Sequence, residues 1–180
     1  MSTPIPDRVR WATGLLPLVP GMRVLEVGCG TGAAVELLAS RIPDGTITAI
    51  DRSARAAAYT KRRNIELLRS GRLQVLHTSL VRLPAHVEVF DLALALDVNL
   101  FWTTPDRSEL RVLHRVLVPN GVLAVLYGPS PARHGENEAE RDARIQRRQA
   151  MIQRSLPSAG FTIDRVLNDE HGAGALARRT

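Results

Sequence analysis

The sequence is poor in cysteine, lysine and aromatic residues, and it contains no long apolar run. Cys29 is the one cysteine among the 180 residues, so a disulfide within the chain is excluded. No apolar run approaches the roughly 20 residues that a membrane-spanning helix needs, and the first residues lack the apolar segment of a signal peptide. We therefore expect a cytoplasmic protein that has no membrane partner.

The length suits one domain with a sizeable core and is too short for two domains of ordinary size. We expect a single domain over residues 1–180, with an N-terminal helix within residues 1–20 and the core in residues 21–180. The chain contains no internal repeat, linker or low-complexity tract. The sequence leaves both a monomer and a homodimer open.

Basic residues outnumber acidic ones, which gives a formal net charge of +6. Lys61 is the only lysine, and arginines are concentrated in residues 52–72 and 141–154. Such clusters can bind nucleic acid, but few aromatic side chains accompany them for base stacking. We expect solvated helix faces here, and a nucleic-acid partner is the less favoured alternative.

The most informative stretch is residues 24–32, in which an apolar run leads into glycines at positions 28, 30 and 32. Helical spacing of apolar residues resumes directly afterwards, so the glycines lie between a strand and a helix. Glycines at such a turn permit positive φ and let the backbone approach a ligand closely. Cys29 lies inside this loop, where a small filler beside a ligand is a better interpretation than a nucleophile. The stretch predicts a nucleotide-like ligand.

A second landmark is Asp51, which ends the β-branched run at residues 46–51. In nucleotide-binding units an acid at this place accepts hydrogen bonds from ribose hydroxyls, because an ionised carboxylate offers only acceptors. Capping of the next helix is the alternative role, but Ser53 is better placed for it.

Strand-like and helix-like segments alternate five times after residue 21, which predicts a doubly wound parallel sheet. Strands are predicted at residues 22–27, 46–51, 73–77 and 90–96, and residues 118–126 predict a turn and a fifth strand. Helices are predicted at residues 7–18, 31–41, 53–70 and 137–156, and from residue 104 onward. Ligands of such sheets lie at the carboxyl ends of the strands, where Glu26, Asp51, Ser79 and Asp97 fall.

The run Glu-Val-Gly-Cys-Gly-Thr-Gly from Glu26 to Gly32 resembles the first motif of the class I methyltransferases that use S-adenosylmethionine. Dinucleotide-binding loops read G-x-G-x-x-G instead, so a nicotinamide oxidoreductase is the weakest alternative. The resemblance extends over the chain from Gly21 onward. It implies an α/β fold, a doubly wound, mostly parallel seven-stranded sheet with helices on both faces and an antiparallel last strand. The last two strands would lie near residues 159–164 and 174–179.

The resemblance also implies the cofactor S-adenosylmethionine, with S-adenosylhomocysteine as the product. Asp51 would hold both ribose hydroxyls, Leu80 would pack on the adenine ring, and the helix at residues 7–18 would cover the site. The residues that the resemblance places at the cofactor are Glu26, Gly28, Cys29, Gly30, Gly32, Asp51, Arg52, Ser79, Leu80, Asp97 and Val98.

The chain departs from the family pattern at two places. Ser79 stands where the family usually has an acid that receives the adenine amino group, and a neutral hydroxyl accepts this bond less strongly. The Asp97 stretch lacks the Pro-Pro step of amino-group methyltransferases. The residues that we expect near the substrate are Trp11, Asn99, Phe101, Trp102 and His134.

We interpret the chain as an S-adenosylmethionine-dependent methyltransferase that acts on a small molecule by in-line displacement, with catalysis mainly by positioning. No residue is identified as a catalytic base, and no spacing of carboxylates or histidines indicates a metal site. Two alternatives stay open. One is a nucleic-acid (RNA) methyltransferase, and the other is a non-catalytic module that binds S-adenosylmethionine.

Overall fold

A computed structural model describes residues 4–84, 89–99, 107–129 and 134–180 of the chain. Two of the residues predicted near the substrate, Phe101 and Trp102, lie outside these described residues. Within them, the structure contains no helix that is both long and apolar enough to cross a membrane.

The centre of the fold is a seven-stranded sheet. Its strands are β1 Arg23–Val27, β2 Thr46–Asp51, β3 Leu73–His77, β4 Phe90–Leu96, β5 Leu117–Tyr127, β6 Phe161–Asp169 and β7 Gly172–Arg179. The strand order is β3-β2-β1-β4-β5-β7-β6, so β1 lies between β2 and β4. Strands β1 to β5 pair in parallel, whereas β7 is antiparallel to both β5 and β6. The predicted sheet, with its antiparallel last strand, is confirmed.

Helices cover both faces of the sheet. They are α1 Asp7–Gly14, α2 Ala33–Arg41, α3 Ala54–Arg63, α4 Ile65–Arg69, α5 Ser108–Val116 and α6 Glu138–Ser155. On one face α1 and α2 bury residues such as Val9 and Leu38, and on the other face α5 buries Leu113. Strand β4 is apolar almost throughout because it is buried between the two layers.

The structure corrects two helix boundaries. The helix predicted at residues 7–18 ends at Gly14. The helix predicted at residues 53–70 is broken at Asn64 into α3 and α4. Its predicted cap is confirmed, because the Ser53 side chain accepts a hydrogen bond from the amide of Ala56 at 3.2 Å.

Candidate functional site

A cleft of about 270 Å³ opens at the carboxyl ends of β1, β2 and β4. Its lining residues are Val27, Gly28, Ile50, Asp51, Arg52, Thr78, Leu80, Leu96, Asp97, Val98 and Asn99. Parallel sheets bind their ligands at this edge, where the first β-strand has neighbours on both sides. The cleft therefore brings together predicted residues from three separate parts of the chain.

A second cleft, of about 510 Å³, lies beside the first one. It is lined by Arg52, His77, Thr78, Ser79, Leu80, Val81, Arg82 and Glu109, so the two clefts share Arg52, Thr78 and Leu80. Leu80 is buried and separates the two spaces as a common wall. Ser79, one of the predicted cofactor residues, lines only the second cleft.

The glycine loop between β1 and α2 has the conformation that its sequence predicts. Gly28, Gly30 and Gly32 have φ of +77°, +52° and +69°, in the region that favours glycine. The amides of Gly28 and Cys29 both donate to the carbonyl of Ile50, at 2.8 and 3.1 Å. The loop is thereby folded back on the end of β2.

Two polar side chains of the neighbouring helix hold this loop from behind. The Thr60 hydroxyl donates to the carbonyl of Gly30 at 3.2 Å, and the Asn64 amide donates to the carbonyl of Gly32 at 3.1 Å. Both residues are buried. A Cβ on Gly32 would lie 2.6 Å from the Asn64 amide nitrogen, so only glycine fits there. The sequence interpretation missed Thr60 and Asn64, and their spacing of one helical turn was the available signal.

Asp51 is hydrogen-bonded to the glycine loop and also lines the first cleft. Its Oδ2 accepts a hydrogen bond from the Gly30 amide at 3.0 Å, and its Oδ1 accepts one from the Ser53 amide at 2.8 Å. A carboxylate offers about four acceptor positions, so both oxygens retain capacity for a ligand's hydroxyl groups. The carboxylate is thus oriented by the backbone before any ligand arrives.

Glu26 is a buried acid behind the loop, on the same face of the sheet as Asp51. Its side chain is 4% exposed, and its Oε2 has no hydrogen-bond partner within the described part of the chain. Burial, and then the charge of Asp51, raise the pKa of Glu26 from 4.5 to about 8. At neutral pH the carboxyl group is therefore mostly protonated.

This raised pKa predicts a pH dependence of stability. Below pH 4.5 the Glu26 carboxyl is protonated in the folded and unfolded states, so its full contribution is present. As the pH rises towards 8 the unfolded state loses this proton first, so the free energy of unfolding falls. We expect Glu26→Gln to lessen the fall by at least ~1 kcal/mol, since one pKa unit corresponds to about that energy.

Urea unfolding of both proteins at pH 5 and pH 8, without ligand, measures this difference. The comparison is between the two pH-dependent changes, so any uniform cost of the substitution cancels. An equal fall in the wild type and in Glu26→Gln would contradict the assignment of the buried proton to Glu26.

Cys29 lies inside the loop as a buried thiol. The Thr60 hydroxyl is 3.4 Å from its Sγ. Burial raises the pKa of Cys29 to about 12, an effect that the Thr60 hydrogen bond only partly offsets. The thiol stays neutral, in agreement with the interpretation of Cys29 as a filler, because a nucleophile would need the thiolate.

Asp97 follows β4 at the edge of the cleft, in a left-handed conformation with φ of +59°. Its Oδ1 accepts from the Gly128 amide at 2.9 Å, and its Oδ2 accepts from Nε of Arg8 at 2.9 Å. Arg8 belongs to α1, so this ion pair ties the N-terminal helix to the rim of the cleft. A Cβ on Gly128 would lie 2.7 Å from the Arg8 side chain, so the glycine makes room for it.

The rim also includes an aromatic side chain that the sequence interpretation did not single out. Tyr127, at the end of β5, is buried and donates its hydroxyl proton to the carbonyl of Val98 at 2.6 Å. The guanidinium of Arg148 from α6 lies 4.3 Å from the centre of the Tyr127 ring. Burial raises the pKa of Tyr127 and lowers that of Arg148.

The residues predicted near the substrate are dispersed. Asn99 lines the first cleft. The ring of Trp11 packs against Gly172 so closely that a Cβ there would overlap it. His134 is exposed in a turn and lines neither cleft. In the described parts of the chain no group of His, Cys, Asp or Glu side chains could hold a metal ion.

The strand order, the antiparallel seventh strand and the glycine loop at the end of β1 define the class I methyltransferase fold. A family model described as a methyltransferase domain matches residues 24–121. The chain belongs to this family, and the resemblance inferred from its glycine motif is confirmed.

Relatives and solved structures agree with this membership. Trans-aconitate 2-methyltransferase of Paracidovorax citrulli is 33% identical over 66% of this chain and 45% of its own length. Malonyl-[acyl-carrier protein] O-methyltransferase of Geobacter sulfurreducens is 36% identical over 59% of this chain and 39% of its own length. The chain thus spans less than half the length of the curated relatives that it matches.

Among solved structures, N-methyltransferase NodS of Bradyrhizobium japonicum shares the fold. It has a TM-score of 0.69 and 21% identity, with 96% of this chain and 94% of that chain covered. At this identity the likeness is one of fold.

Proposed function

We propose that this domain binds S-adenosylmethionine in the first cleft and transfers its methyl group to a small-molecule acceptor. One observation carries the proposal. The carboxylate of Asp51 lines the cleft and is fixed by the amide of Gly30, so a ribose-binding acid and a backbone cradle form one unit. Such a unit suits a nucleoside whose sugar hydroxyls meet the acid while its chain lies along the glycines.

The residues present fit this cofactor. A Cβ on Gly30 would have no protein atom closer than the carbonyl oxygen of Gly28 at 4.0 Å, so the backbone is open to a ligand there. The buried Glu26 oxygen without a described partner lies beside a loop that would receive the cationic end of the cofactor. Leu80, in the wall between the clefts, offers an apolar surface to the base. The same placement of the cofactor is the basis for six further proposed contacts. They are those of Cys29, Gly32, Arg52, Ser79, Asp97 and Val98.

The cofactor supplies a methyl group already activated by its sulfonium, so the protein has to position the acceptor rather than create a nucleophile. We propose that α1 covers the site, since Arg8 is bound to Asp97 at its rim. Asn99 lines the same cleft and would help to orient the acceptor. Positioning of this kind can account for a large part of a rate enhancement.

The relatives' names, trans-aconitate and malonyl-[acyl-carrier protein] methyltransferases, support an acceptor other than nucleic acid. The arginine clusters also support an acceptor other than nucleic acid, because several of these arginines form ion pairs within the fold. Arg63 pairs with Glu36 and Arg144 with Glu136, at 2.9 and 2.7 Å. These charges serve the fold at least in part, which favours the small-molecule alternative.

Isothermal titration with S-adenosylmethionine, S-adenosylhomocysteine and NAD tests the proposal. We expect micromolar binding of the first two and no heat from NAD, because the glycine spacing suits a nucleoside without a pyrophosphate bridge. Binding of NAD alone would overturn the cofactor assignment. Binding of the adenosyl ligands without turnover of any tested acceptor would favour the non-catalytic alternative.

A further inference from the structure

Glu26 is an acid that the sheet buries between apolar neighbours. It is the fourth of the five residues of β1, and the residues paired with it are Ala49 on β2 and Leu94 on β4. Neither neighbour has a polar side chain, and Glu26 itself is 4% exposed. The carboxyl group has thus lost water and has gained no polar side chain from the strands on either side, which costs free energy.

One oxygen of this carboxyl group has no hydrogen-bond partner. Among the residues that the structure describes, none donates to Oε2 of Glu26. Native proteins rarely leave such a buried atom unsatisfied, so it points to a donor or a cation that comes from outside the chain. The atom lies directly behind the glycine loop, because only Val27 separates Glu26 from Gly28.

The titratable groups that act on Glu26 do not favour its ionised form. Burial, and then the charge of Asp51, raise the pKa of Glu26 to about 8. Burial, and to a lesser extent the charges of Glu26 and Asp51, raise the pKa of Cys29, so this neighbouring thiol stays neutral. The helices over this face of the sheet direct their charged side chains to other groups. These pairs are Arg8 with Asp97, Arg41 with carbonyl groups near the end of α1, and Arg63 with Glu36.

The proposed cofactor would bring positive charge to this place. If its ribose meets Asp51 and its chain lies along the glycines, as the proposed function requires, its amino-acid end reaches the end of β1. The ammonium group of that end then lies beside the loop behind which Glu26 is buried. Opposite charges attract strongly where water is scarce, so the cation favours the ionised form of Glu26 over the protonated one.

We propose that binding of S-adenosylmethionine is coupled to the release of the proton that Glu26 carries in the free protein. This inference rests on the proposed function and adds a pH-sensitive switch to it. The buried carboxyl group is neutral without a ligand and is ionised beside the ligand's cation. Only its O–H bond breaks, and the proton passes to the solvent. The free protein thereby avoids two uncompensated charges, on Glu26 and on Asp51, behind one loop.

The coupling gives the ligand affinity a pH dependence of definite sign. At pH 6 the free protein holds the Glu26 proton, so the ligand has to displace it and its apparent affinity is lowered. Near pH 8 about half of the free protein has already lost the proton, and the lowering largely disappears. We expect the affinity for S-adenosylhomocysteine, which keeps the ammonium group, to rise about tenfold or more from pH 6 to pH 8, since each pKa unit corresponds to a factor of about ten.

Titration calorimetry at pH 7 in phosphate and in imidazole buffer counts the released protons, because the two buffers differ in their heat of ionisation. We expect S-adenosylhomocysteine to release about 0.5–0.9 proton per bound ligand from the wild type. 5′-Methylthioadenosine has the same base and ribose but no amino-acid end, so it should release less than about 0.2 proton. Glu26→Gln carries no titratable group at this position and should release equally little with S-adenosylhomocysteine.

Glu138→Gln is the matched control, since Glu138 is exposed in the first turn of α6 and its loss should leave the proton release unchanged. S-adenosylhomocysteine that binds the wild type without proton release would overturn the inference and leave the proposed function intact. Release that 5′-methylthioadenosine also causes, or that persists in Glu26→Gln, would assign the proton to another group, such as His77 of the second cleft. Failure of the wild type to bind S-adenosylhomocysteine would remove both the inference and the proposed function. If Glu26→Gln does not fold, the two ligands on the wild type still decide the question.

Discussion

Replacing Gly30 by valine should reduce binding of S-adenosylhomocysteine by at least ~100-fold while the fold persists. The expectation combines two features of this position. The backbone has φ of +52°, where a branched side chain is strained by an energy of order 1–2 kcal/mol. A Cβ at this position has its nearest protein neighbour, the carbonyl oxygen of Gly28, at 4.0 Å, so the added side chain extends into the space that the ligand needs instead of disrupting the core.

Gly71→Val is the matched control for the strain. Gly71 has φ of +75° in the turn between α4 and β3, and a Cβ there meets nothing within 4 Å. Both variants should lose a similar amount of stability in a thermal melt, but only Gly30→Val should lose ligand binding. Affinity within about threefold of the wild type in Gly30→Val would contradict the placement of the cofactor along the glycine loop.

Much of the fold could be predicted because buried parallel strands have a recognisable composition. Residues 90–96 are mostly apolar, since β4 is covered on both faces, and no polar face obscures the pattern. The turn-like sequence at residues 118–121 was also readable, because asparagine tolerates the left-handed conformation that Asn120 adopts within β5, with φ of +62°. The hairpin of β6 and β7 gave a weaker signal, and its presence was implied by the family resemblance.

The break between α3 and α4 shows where local pattern fails. Apolar spacing continues across residues 53–70, so the sequence predicted one helix. The structure breaks it at Asn64, whose φ is −115°. There the Asn64 amide bridges the carbonyls of Gly32 and Thr60, both at 3.1 Å. The helix is thus interrupted where its side chain supports the glycine loop, a tertiary requirement that helix propensity does not contain.

The candidate site likewise contains residues that the sequence could predict and residues that it could not. The glycines and Asp51 are adjacent to strand ends, and the topology of a parallel sheet brings strand ends together. Arg8 and Asp97 are 89 positions apart, and only the packing of α1 against the sheet makes them partners. Glu109 likewise reaches the second cleft through the packing of α5. Contacts supplied by helices across the cleft could not be read from spacing, because each depends on how two elements dock.

The two acids at the site, Asp51 and Glu26, interact electrostatically. The Asp51 carboxylate is fixed by two backbone amides, whereas Glu26 is buried nearby with one oxygen lacking a described partner. The charge of Asp51 contributes to the raised pKa of Glu26. A nearby carboxylate disfavours ionisation of a second one, so the deeply buried Glu26 keeps its proton to a higher pH than a free carboxyl group does. A cation bound beside the loop would relieve this repulsion.

Asp51→Asn should weaken binding of S-adenosylhomocysteine by about 10- to 100-fold. An asparagine can still accept from the Gly30 amide through its one carbonyl oxygen and gives up the bond from the Ser53 amide, which lies outside the glycine loop, so the loop should stay in place. What is lost is the charged acceptor for the ribose hydroxyls, and hydrogen bonds to charged groups contribute ~1.5–3 kcal/mol. Asp44→Asn is the control, because Asp44 is exposed in the turn before β2. Titration calorimetry of the three proteins measures the change.

The same variant has a second readout that does not involve a ligand. Because the Asp51 charge raises the pKa of Glu26, its removal should lower that pKa, although burial will keep it above 4.5. The fall in the free energy of unfolding between pH 5 and pH 8 should then be smaller in Asp51→Asn than in the wild type. Weaker ligand binding with an unchanged pH dependence would mean that Asp51 meets the ribose but does not couple to Glu26. Unchanged binding would remove Asp51 from the site, because its charge would then have no role in holding the sugar.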